Sequence, residues 1–327
     1  MKKNTNPRYF NLSFITNFLD FLPLLILFLI LLIFSVIIPN FLKLQNFLNI
    51  SRQIAINGII AIGMTLTILS GGLDLSVGSI LVLSICVGSF AMKAGLPVPI
   101  IILIIFITGI FLGFLNGTLI NKLSITPFIT TLATYTIYRM LAIIITGGYS
   151  YYLIPQSILF LGGGFYPILI LVIVWVIAIF VTVLTKFGRN IYSIGGNEQA
   201  SLFSGIDVEK YKLYIYTISG FLCSLAGILY IARTSAISAM AGIGYEFQAI
   251  AAVVIGGTNI IGGEGNIFRT IIGTLIIGFL LAGLSMLGID PNWHGAISGG
   301  TILLAITLNT LKKFYKYIGA NKYEKTN

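Results

Sequence analysis

The sequence predicts an all-α membrane protein that crosses the bilayer about ten times, with several of its helices broken. Hydrophobic residues fill 57% of the 327 positions and charged residues only 9%, whereas roughly 25% of the residues in a soluble domain are charged. The mean hydropathy of +1.03 points the same way. Because the apolar runs leave no long polar stretch for a soluble domain, we expect one transmembrane domain over residues 1–327.

The predicted spans are ten apolar runs of about the length that a helix needs to cross a bilayer. The first run follows three basic residues, as a signal peptide would. It is long, however, and Pro39-Asn40-Phe41 after it is not a small-residue cleavage site, so we expect a retained span. The runs lie near residues 20–39, 53–70, 76–92, 98–115, 126–146, 165–185, 212–232, 246–261, 268–287 and 293–311.

The basic residues predict that both termini lie in the cytosol. An even number of spans puts both ends on one side. With the N-terminus inside, fourteen of the 19 Lys and Arg residues fall in inner segments and one, Arg139, within a span. The four that fall outside are Lys43, Arg52, Lys93 and Arg233. This distribution fits the positive-inside rule, so the net charge of +10 reflects topology and no nucleic-acid partner is expected.

The composition argues against an enzyme. One histidine, His294, and nine Asp and Glu residues leave little for hydrolytic chemistry or a metal site. The Gly-x-x-x-x-Gly-Lys-Ser/Thr motif is absent, so no ATP is expected in a P-loop of this chain. Cys86 and Cys223 lie in apolar runs, where cysteine behaves as a small buried hydrophobe, and we expect no disulfide. We expect no cofactor in this chain, and an ion gradient or a partner must drive any uphill transport.

A polar segment, residues 186–212, interrupts the apolar sequence. Gly195-Gly196 is expected to break the chain, and Asn197 to cap a short helix by accepting from its free N–H groups. Gly205 would end that helix in a left-handed conformation. The sequence thus predicts an exposed helix over about residues 198–204, with Glu198 and Gln199 at the positive end of its dipole. This segment is either a plain connection or a docking surface for a cytosolic partner.

Two Gly-rich interruptions, residues 70–79 and 256–266, separate neighbouring spans. Each has a Gly-Gly pair followed six residues later by another glycine, which indicates either an internal repeat or the general abundance of glycine. Irregular backbone at membrane depth occurs where it is buried in protein or lines a cavity, and small residues also allow close helix packing. The motif positions are Gly71, Gly72, Asp74, Gly256 and Gly257, and the glycines expected to serve packing alone are Gly109, Gly113, Gly117, Gly273 and Gly278.

Polar residues in or beside the apolar runs are functional candidates, because a charge at the bilayer centre costs at least about 2.5 kcal/mol. For Asp74 we favour a structural role as the N-cap of the third span. Arg139 lies deeper, in the fifth span, where it pairs with a carboxylate or contacts a polar substrate. Glu264, Arg233 and Arg269 are expected at the membrane interfaces.

Long motifs resemble the permease subunits of ribose-type sugar ABC importers, in the same superfamily as branched-chain amino acid permeases. The likeness runs from about Asn46 to Ala305. Three stretches carry most of it: Ser70-Gly-Gly-Leu-Asp-Leu-Ser-Val-Gly-Ser79, Gly188-Arg-Asn-Ile-Tyr-Ser-Ile-Gly-Gly-Asn-Glu-Gln-Ala200 and Ala241-Gly-Ile-Gly-Tyr-Glu-Phe-Gln-Ala-Ile-Ala-Ala-Val-Val-Ile-Gly-Gly-Thr258.

This resemblance implies an importer subunit in the bacterial plasma (inner) membrane. It would pair with a second permease copy, identical or paralogous, above a cytosolic ATPase that binds ATP and Mg²⁺. An extracytoplasmic sugar-binding protein would deliver a monosaccharide, ribose-like or another simple sugar. The polar segment then matches the ATPase-coupling segment of the family, with Gly195, Gly196, Asn197, Glu198, Gln199, Ala200, Ser201, Leu202, Gly205 and Ile206 in that role.

A permease that passes a hydroxylated solute needs a weakly binding polar surface. We predict that Asn116, Phe128, Thr131 and Arg139 lie at or near the cavity between two permease copies. The chain departs from the family pattern at Met140, Gln248, Glu264 and Ser298-Gly299, which leaves the substrate open. A nucleoside or a branched-chain amino acid is the alternative substrate, and a gradient-driven secondary transporter is the alternative class, although the spans offer few carboxylates for ion coupling.

Overall fold

A computed structural model describes the backbone of residues 7–290 and 292–324 and the side chains of residues 21–290, 292–307 and 310. This part of the chain folds into thirteen α-helices joined by turns, as the predicted fold class requires. An isolated antiparallel pairing of Tyr151 with Ile237 joins two of the connections. The helices are α1 (Pro7–Ile37), α2 (Leu44–Leu69), α3 (Val77–Lys93), α4 (Val98–Leu123), α5 (Pro127–Thr146), α6 (Gln156–Phe160), α7 (Tyr166–Leu184), α8 (Lys186–Gly196), α9 (Glu198–Phe203), α10 (Val208–Thr234), α11 (Tyr245–Ile255), α12 (Ile267–Met286) and α13 (Trp293–Glu324).

Six of the described helices are long and apolar enough to cross a membrane: α2, α4, α5, α7, α10 and α12. Three shorter apolar helices add to them, namely residues 21–37 of α1, α3 and α11. With α13, which covers the last predicted span, every predicted span contains a helix, and the chain is a multi-pass membrane protein. The span predicted over 246–261 is wrong in its second half, because α11 ends at Ile255 and Gly257 turns the chain with a φ of +89°.

The centre of the bundle is α2, which packs against α7, α10, α11 and α12. Residues 54–69 of α2 are buried on every side, as expected of a helix that is apolar all round and lies in the interior. By contrast, only 17% of the most apolar stretch of α7 is buried, so α7 lies on the outside of the bundle. The hydropathy of the sequence predicted that the second span begins at residue 53, but α2 begins at Leu44. The helix is longer than the apolar run because polar residues such as Arg52 also adopt helical backbone.

Close packing of α4 on α10 depends on small residues, as the sequence predicted. A Cβ added at Gly109 would lie 2.5 Å from the carbonyl oxygen of Gly220, and one at Gly113 would overlap the carbonyl oxygen of Tyr216. The same holds for α12, where a Cβ at Gly273 would overlap Ala252 and one at Gly278 would overlap Ile54. The buried, free thiols of Cys86 and Cys223 are also confirmed.

Candidate functional site

The polar segment 186–212 contains a helix that the sequence analysis did not predict. This helix, α8, begins after Thr185, whose hydroxyl accepts from Gly188 N at 3.4 Å, and it runs to Gly196. Gly188, Ile191 and Ile194 share its buried face at intervals of three residues, the spacing of an amphipathic helix. Gly195-Gly196 therefore ends a helix instead of interrupting a loop.

The short helix α9 confirms the predicted one. Asn197 caps it, since its Oδ1 accepts from Ala200 N at 2.9 Å, and Gly205 follows it with a φ of +82°. The helix ends at Phe203, one residue earlier than predicted. The hydroxyl groups of Ser201 in α9 and Ser193 in α8 form a hydrogen bond of 2.9 Å, which fixes α9 against α8.

The free surface of α9 is partly apolar. Leu202 is 44% exposed and Phe203 is 89% exposed. Glu198 forms an ion pair with Lys212 at 2.7 Å. The sequence analysis missed Phe203, although a phenylalanine within a polar segment is a signal that would have found it. An exposed aromatic side chain on a small polar helix is the type of residue that anchors protein interfaces.

Three glycine turns meet where α8 ends. Gly263 N donates to Leu69 O at 3.0 Å, and a Cβ at Gly195 would overlap the same carbonyl oxygen. A Cβ at Gly262 would lie 2.8 Å from Gly71 Cα. Gly71, Gly262 and Gly263 have φ values of +82°, +105° and +72°, which favour glycine. We call the four residues Gly71, Gly195, Gly262 and Gly263 the glycine junction.

The glycine junction joins both Gly-rich interruptions to the coupling segment. Gly71 belongs to the first interruption, Gly262 and Gly263 to the second, and Gly195 to α8. A further bond from the Tyr192 hydroxyl to Gly265 O, at 3.0 Å, ties α8 to the second interruption. Burial raises the pKa of the Tyr192 hydroxyl above its ordinary value, so this group stays a donor at neutral pH. Two of the remaining motif glycines also make close contacts: a Cβ at Gly72 would lie 2.5 Å from the Tyr216 hydroxyl, and one at Gly256 would lie 2.7 Å from Arg269 O.

Asp74 is not the N-cap of α3, so that prediction is wrong. Ser76 occupies the cap position, because the turn after Gly72 folds Asp74 into the interior. Its Oδ1 accepts from Ser76 N at 3.0 Å, an Asx turn. Its Oδ2 accepts from the Ser219 hydroxyl of α10, also at 3.0 Å.

Asn116 belongs to the same buried network. Its Nδ2 donates to the Ser76 hydroxyl at 2.8 Å, and its Oδ1 accepts from the Tyr138 hydroxyl at 3.0 Å. Thr131 contacts the same turn, since its hydroxyl oxygen accepts from Leu75 N at 3.1 Å. The turn at 73–76 thus brings Asn116 and Thr131 together, and both are fully buried.

Arg139 and Phe128 lie elsewhere on α5. Arg139 is 4% exposed, and its Nη1 donates to Ala239 O at 2.8 Å and to Ala241 O. It thereby holds the segment 235–244, which connects α10 to α11. Its Nε and Nη2 have no hydrogen-bond partner among the described residues. Phe128 is 49% exposed and faces outwards. The sequence analysis did not identify Ala239 and Ala241, whose backbone carbonyls leave no signal in side-chain patterns.

Among the residues whose positions are described, no group of three or more His, Cys, Asp or Glu side chains is placed to hold a metal ion. The site itself consists of a buried hydrogen-bond network around Asp74 and a surface helix, α9, with an apolar tip.

Comparison with known proteins identifies the family. Residues 46–306 match the family model described as branched-chain amino acid transport system / permease component. The chain belongs to this family. Among its relatives is a ribose import permease protein of Bacillus subtilis, 42% identical over 297 residues, which cover 89% of this chain and 92% of that protein. A ribose import permease protein of Haemophilus influenzae is 37% identical over 335 residues, which cover 98% of this chain and 100% of that protein.

A D-allose transport system permease protein of Escherichia coli is 37% identical to this family member, over 88% of the chain and 90% of that protein. No solved structure matches the chain significantly. The resemblance inferred from the sequence motifs is therefore confirmed, with nearly the same boundaries. Permeases of this family are transport components, and this chain is one of them.

Proposed function

We propose that this chain is the membrane-spanning permease subunit of an ATP-driven importer that takes up a monosaccharide. The observation that carries the proposal is near full-length similarity to permeases named for ribose and for D-allose. Relatives named for xylose and fructose extend the same pattern. An extracytoplasmic binding protein would deliver the sugar, and a separate subunit would hydrolyse ATP. The chain would reside in the bacterial inner membrane, paired with a second permease copy.

The α8–α9 unit is proposed as the ATPase-docking element. Leu202 and Phe203 would enter a groove of the ATPase, and Gly195 to Ile206 would form the coupling segment. Because α8 ends in backbone contact with Leu69 and Gly263, a displacement of α9 would reach both Gly-rich interruptions at once. Movement of these breaks would tilt the helices that adjoin them, α2 and α3 on one side and α11 and α12 on the other.

The double substitution Glu198→Lys with Leu202→Asp is expected to leave membrane insertion normal and to uncouple the ATPase. It adds charge to the exposed face of α9, where a surface ion pair contributes at most about 1 kcal/mol to stability. The measurement is co-purification of the ATPase together with sugar uptake. Lys212→Ala is the matched control, since it breaks the same ion pair but leaves the α9 surface intact. Wild-type uptake by the double variant would refute docking through α9.

The proposed topology has ten spans with both termini in the cytosol. A cysteine at Ser150, in a background lacking Cys86 and Cys223, is expected to react with an impermeant thiol reagent added outside intact cells. A cysteine at Ser204 is expected to react only after permeabilisation. Both positions are exposed, so access depends on sidedness and not on burial. The reverse labelling pattern would contradict the orientation and the coupling assignment together.

Asn116, Phe128, Thr131 and Arg139 remain proposed residues of the path between two permease copies. Phe128 is the member that supports this most directly, because it is exposed on α5 and free to contact solute or a second copy. The other three have hydrogen-bond partners inside the chain. They would contribute to the path by shaping the turn at 73–76 and the segment 235–244.

A further inference from the structure

A small apolar cavity, open to the surface, lies between α7 and α10 at the end of α7 where α8 begins. Both α7 and α10 pack against α2, and Phe187 of α8 contributes to the lining of the space between them. The cavity has a volume of about 270 Å³ and an apolar exposed lining formed by Val181, Phe187, Tyr214, Thr217 and Ile218. The Thr217 hydroxyl is turned to Leu213 O, to which it donates at 2.7 Å. An apolar lining of this kind suits a hydrocarbon chain better than a hydroxylated sugar.

The walls of the cavity belong to the lipid-facing side of the bundle. On α7, exposed apolar side chains recur at helical spacing, namely Leu169, Val172, Ile173, Val176, Ile177, Phe180, Val183 and Leu184. In a membrane, such a face contacts acyl chains. A cavity at the end of this face is therefore accessible to a lipid without passing through the protein.

One basic side chain lies beside the cavity, and two more lie close to a lining residue in sequence. Lys210 Nζ lies 6.0 Å from the centre of the Tyr214 ring, which forms part of the lining. Lys186 lies one residue before Phe187 and Arg189 two residues after it, and both side chains are exposed. None of these three forms an ion pair with a described residue, whereas Lys212 pairs with Glu198. Asp207 is engaged as the N-cap of α10, where it accepts from Lys210 N.

We propose that this cavity binds one acyl chain of an anionic phospholipid, whose headgroup contacts Lys210 together with Lys186 or Arg189. Long basic side chains keep their charged ends at the headgroup level while their stems lie along apolar surface. Clusters of them beside a membrane span attract anionic lipids. The bound lipid would hold α8 against α7 and α10. The site is separate from the substrate path and would exist whatever solute the protein transports.

The test is native mass spectrometry of the purified protein titrated with phosphatidylglycerol, with phosphatidylcholine as the zwitterionic comparison. Wild-type protein is expected to retain one phosphatidylglycerol and to prefer it over phosphatidylcholine. Ile218→Trp and Val181→Phe fill the cavity and are expected to abolish retention. Lys210→Gln is expected to weaken phosphatidylglycerol binding about five-fold without changing phosphatidylcholine binding.

Two control variants separate this site from general lipid contact. Val172→Phe makes the same change as Val181→Phe on the lipid-facing side of α7, and Lys93→Gln removes a basic residue at the end of α3 that is remote in sequence from the cavity. Both are expected to bind as wild type does. Equal retention by wild type and by both cavity-filling variants would overturn the site. Equal binding of the two lipids would overturn the headgroup contact. Retention of neither lipid by wild-type protein would overturn the proposal as a whole.

Discussion

Gly195→Ala is expected to lower sugar uptake at least about tenfold while the protein remains in the membrane. The added Cβ would overlap the carbonyl oxygen of Leu69 and would lie 2.5 Å from Gly263 N. Both atoms belong to backbone, so the end of α8 must shift. Overpacking of this kind costs about 1–3 kcal/mol, which is compatible with folding. It would, however, displace α8 from the two interruptions that it is proposed to move. The measurement is uptake normalised to the amount of protein in the membrane.

Gly196→Ala is the matched control for this prediction. It makes the same chemical change one residue later in the same helix, but a Cβ there meets nothing within 4 Å. Uptake by Gly196→Ala is expected to be close to that of wild type. If the two variants transport equally well, the glycine junction does not take part in coupling.

Arg139→Ala is expected to destabilise the protein by about 2–4 kcal/mol, because two buried carbonyls lose their donor and an unsatisfied buried acceptor costs about 1–3 kcal/mol. The carbonyls are those of Ala239 and Ala241, so the segment 235–244 would loosen from α5. The measurement is the thermal unfolding midpoint of the purified protein, followed together with co-purification of the ATPase.

Arg52→Ala controls for the loss of an arginine with similar bonding. Arg52 also makes two hydrogen bonds, to Gly164 O and Asn49 Oδ1, both at 2.9 Å, but the residue is only half-buried and the bonds are open to the surface. Its removal is expected to change stability by no more than about 0.5 kcal/mol. If Arg139→Ala leaves the unfolding midpoint and the complex intact while uptake falls, Arg139 serves the transport path and is not needed for the stability of the fold.

Local rules predicted those parts of the protein that depend on sequence neighbours. Asn197 and Gly205 were identified as the cap and the stop of α9 because both functions act within one helical turn. Gly109 and Gly113 were identified as packing residues because their spacing of four places them on one helix face. The presence of a helix in each apolar run was also predicted locally, from the hydropathy of neighbouring residues.

Features that depend on the path of the chain in space were not predicted. Asp74 looks like a helix cap in sequence, and only the fold of the turn after Gly72 brings it to Ser219, 145 positions away. The contact of Gly195 with Leu69 and Gly263 joins three distant segments through backbone atoms, which leave no side-chain pattern to identify. The amphipathic period of α8 was present in the sequence, but its charged residues and its glycine pair suggested a loop.

The most direct test of the proposed function is uptake of radiolabelled ribose into proteoliposomes that contain this chain, its ATPase and its sugar-binding protein. Ribose is the first choice because relatives named for it match this chain over most of its length; allose, xylose and fructose follow. The account predicts uptake that requires ATP on the side of α9, continues when ionophores collapse all ion gradients, and stops in the variant carrying Glu198→Lys and Leu202→Asp. Uptake that continues without ATP and disappears with the ion gradient would contradict it and would assign the chain to gradient-driven transport.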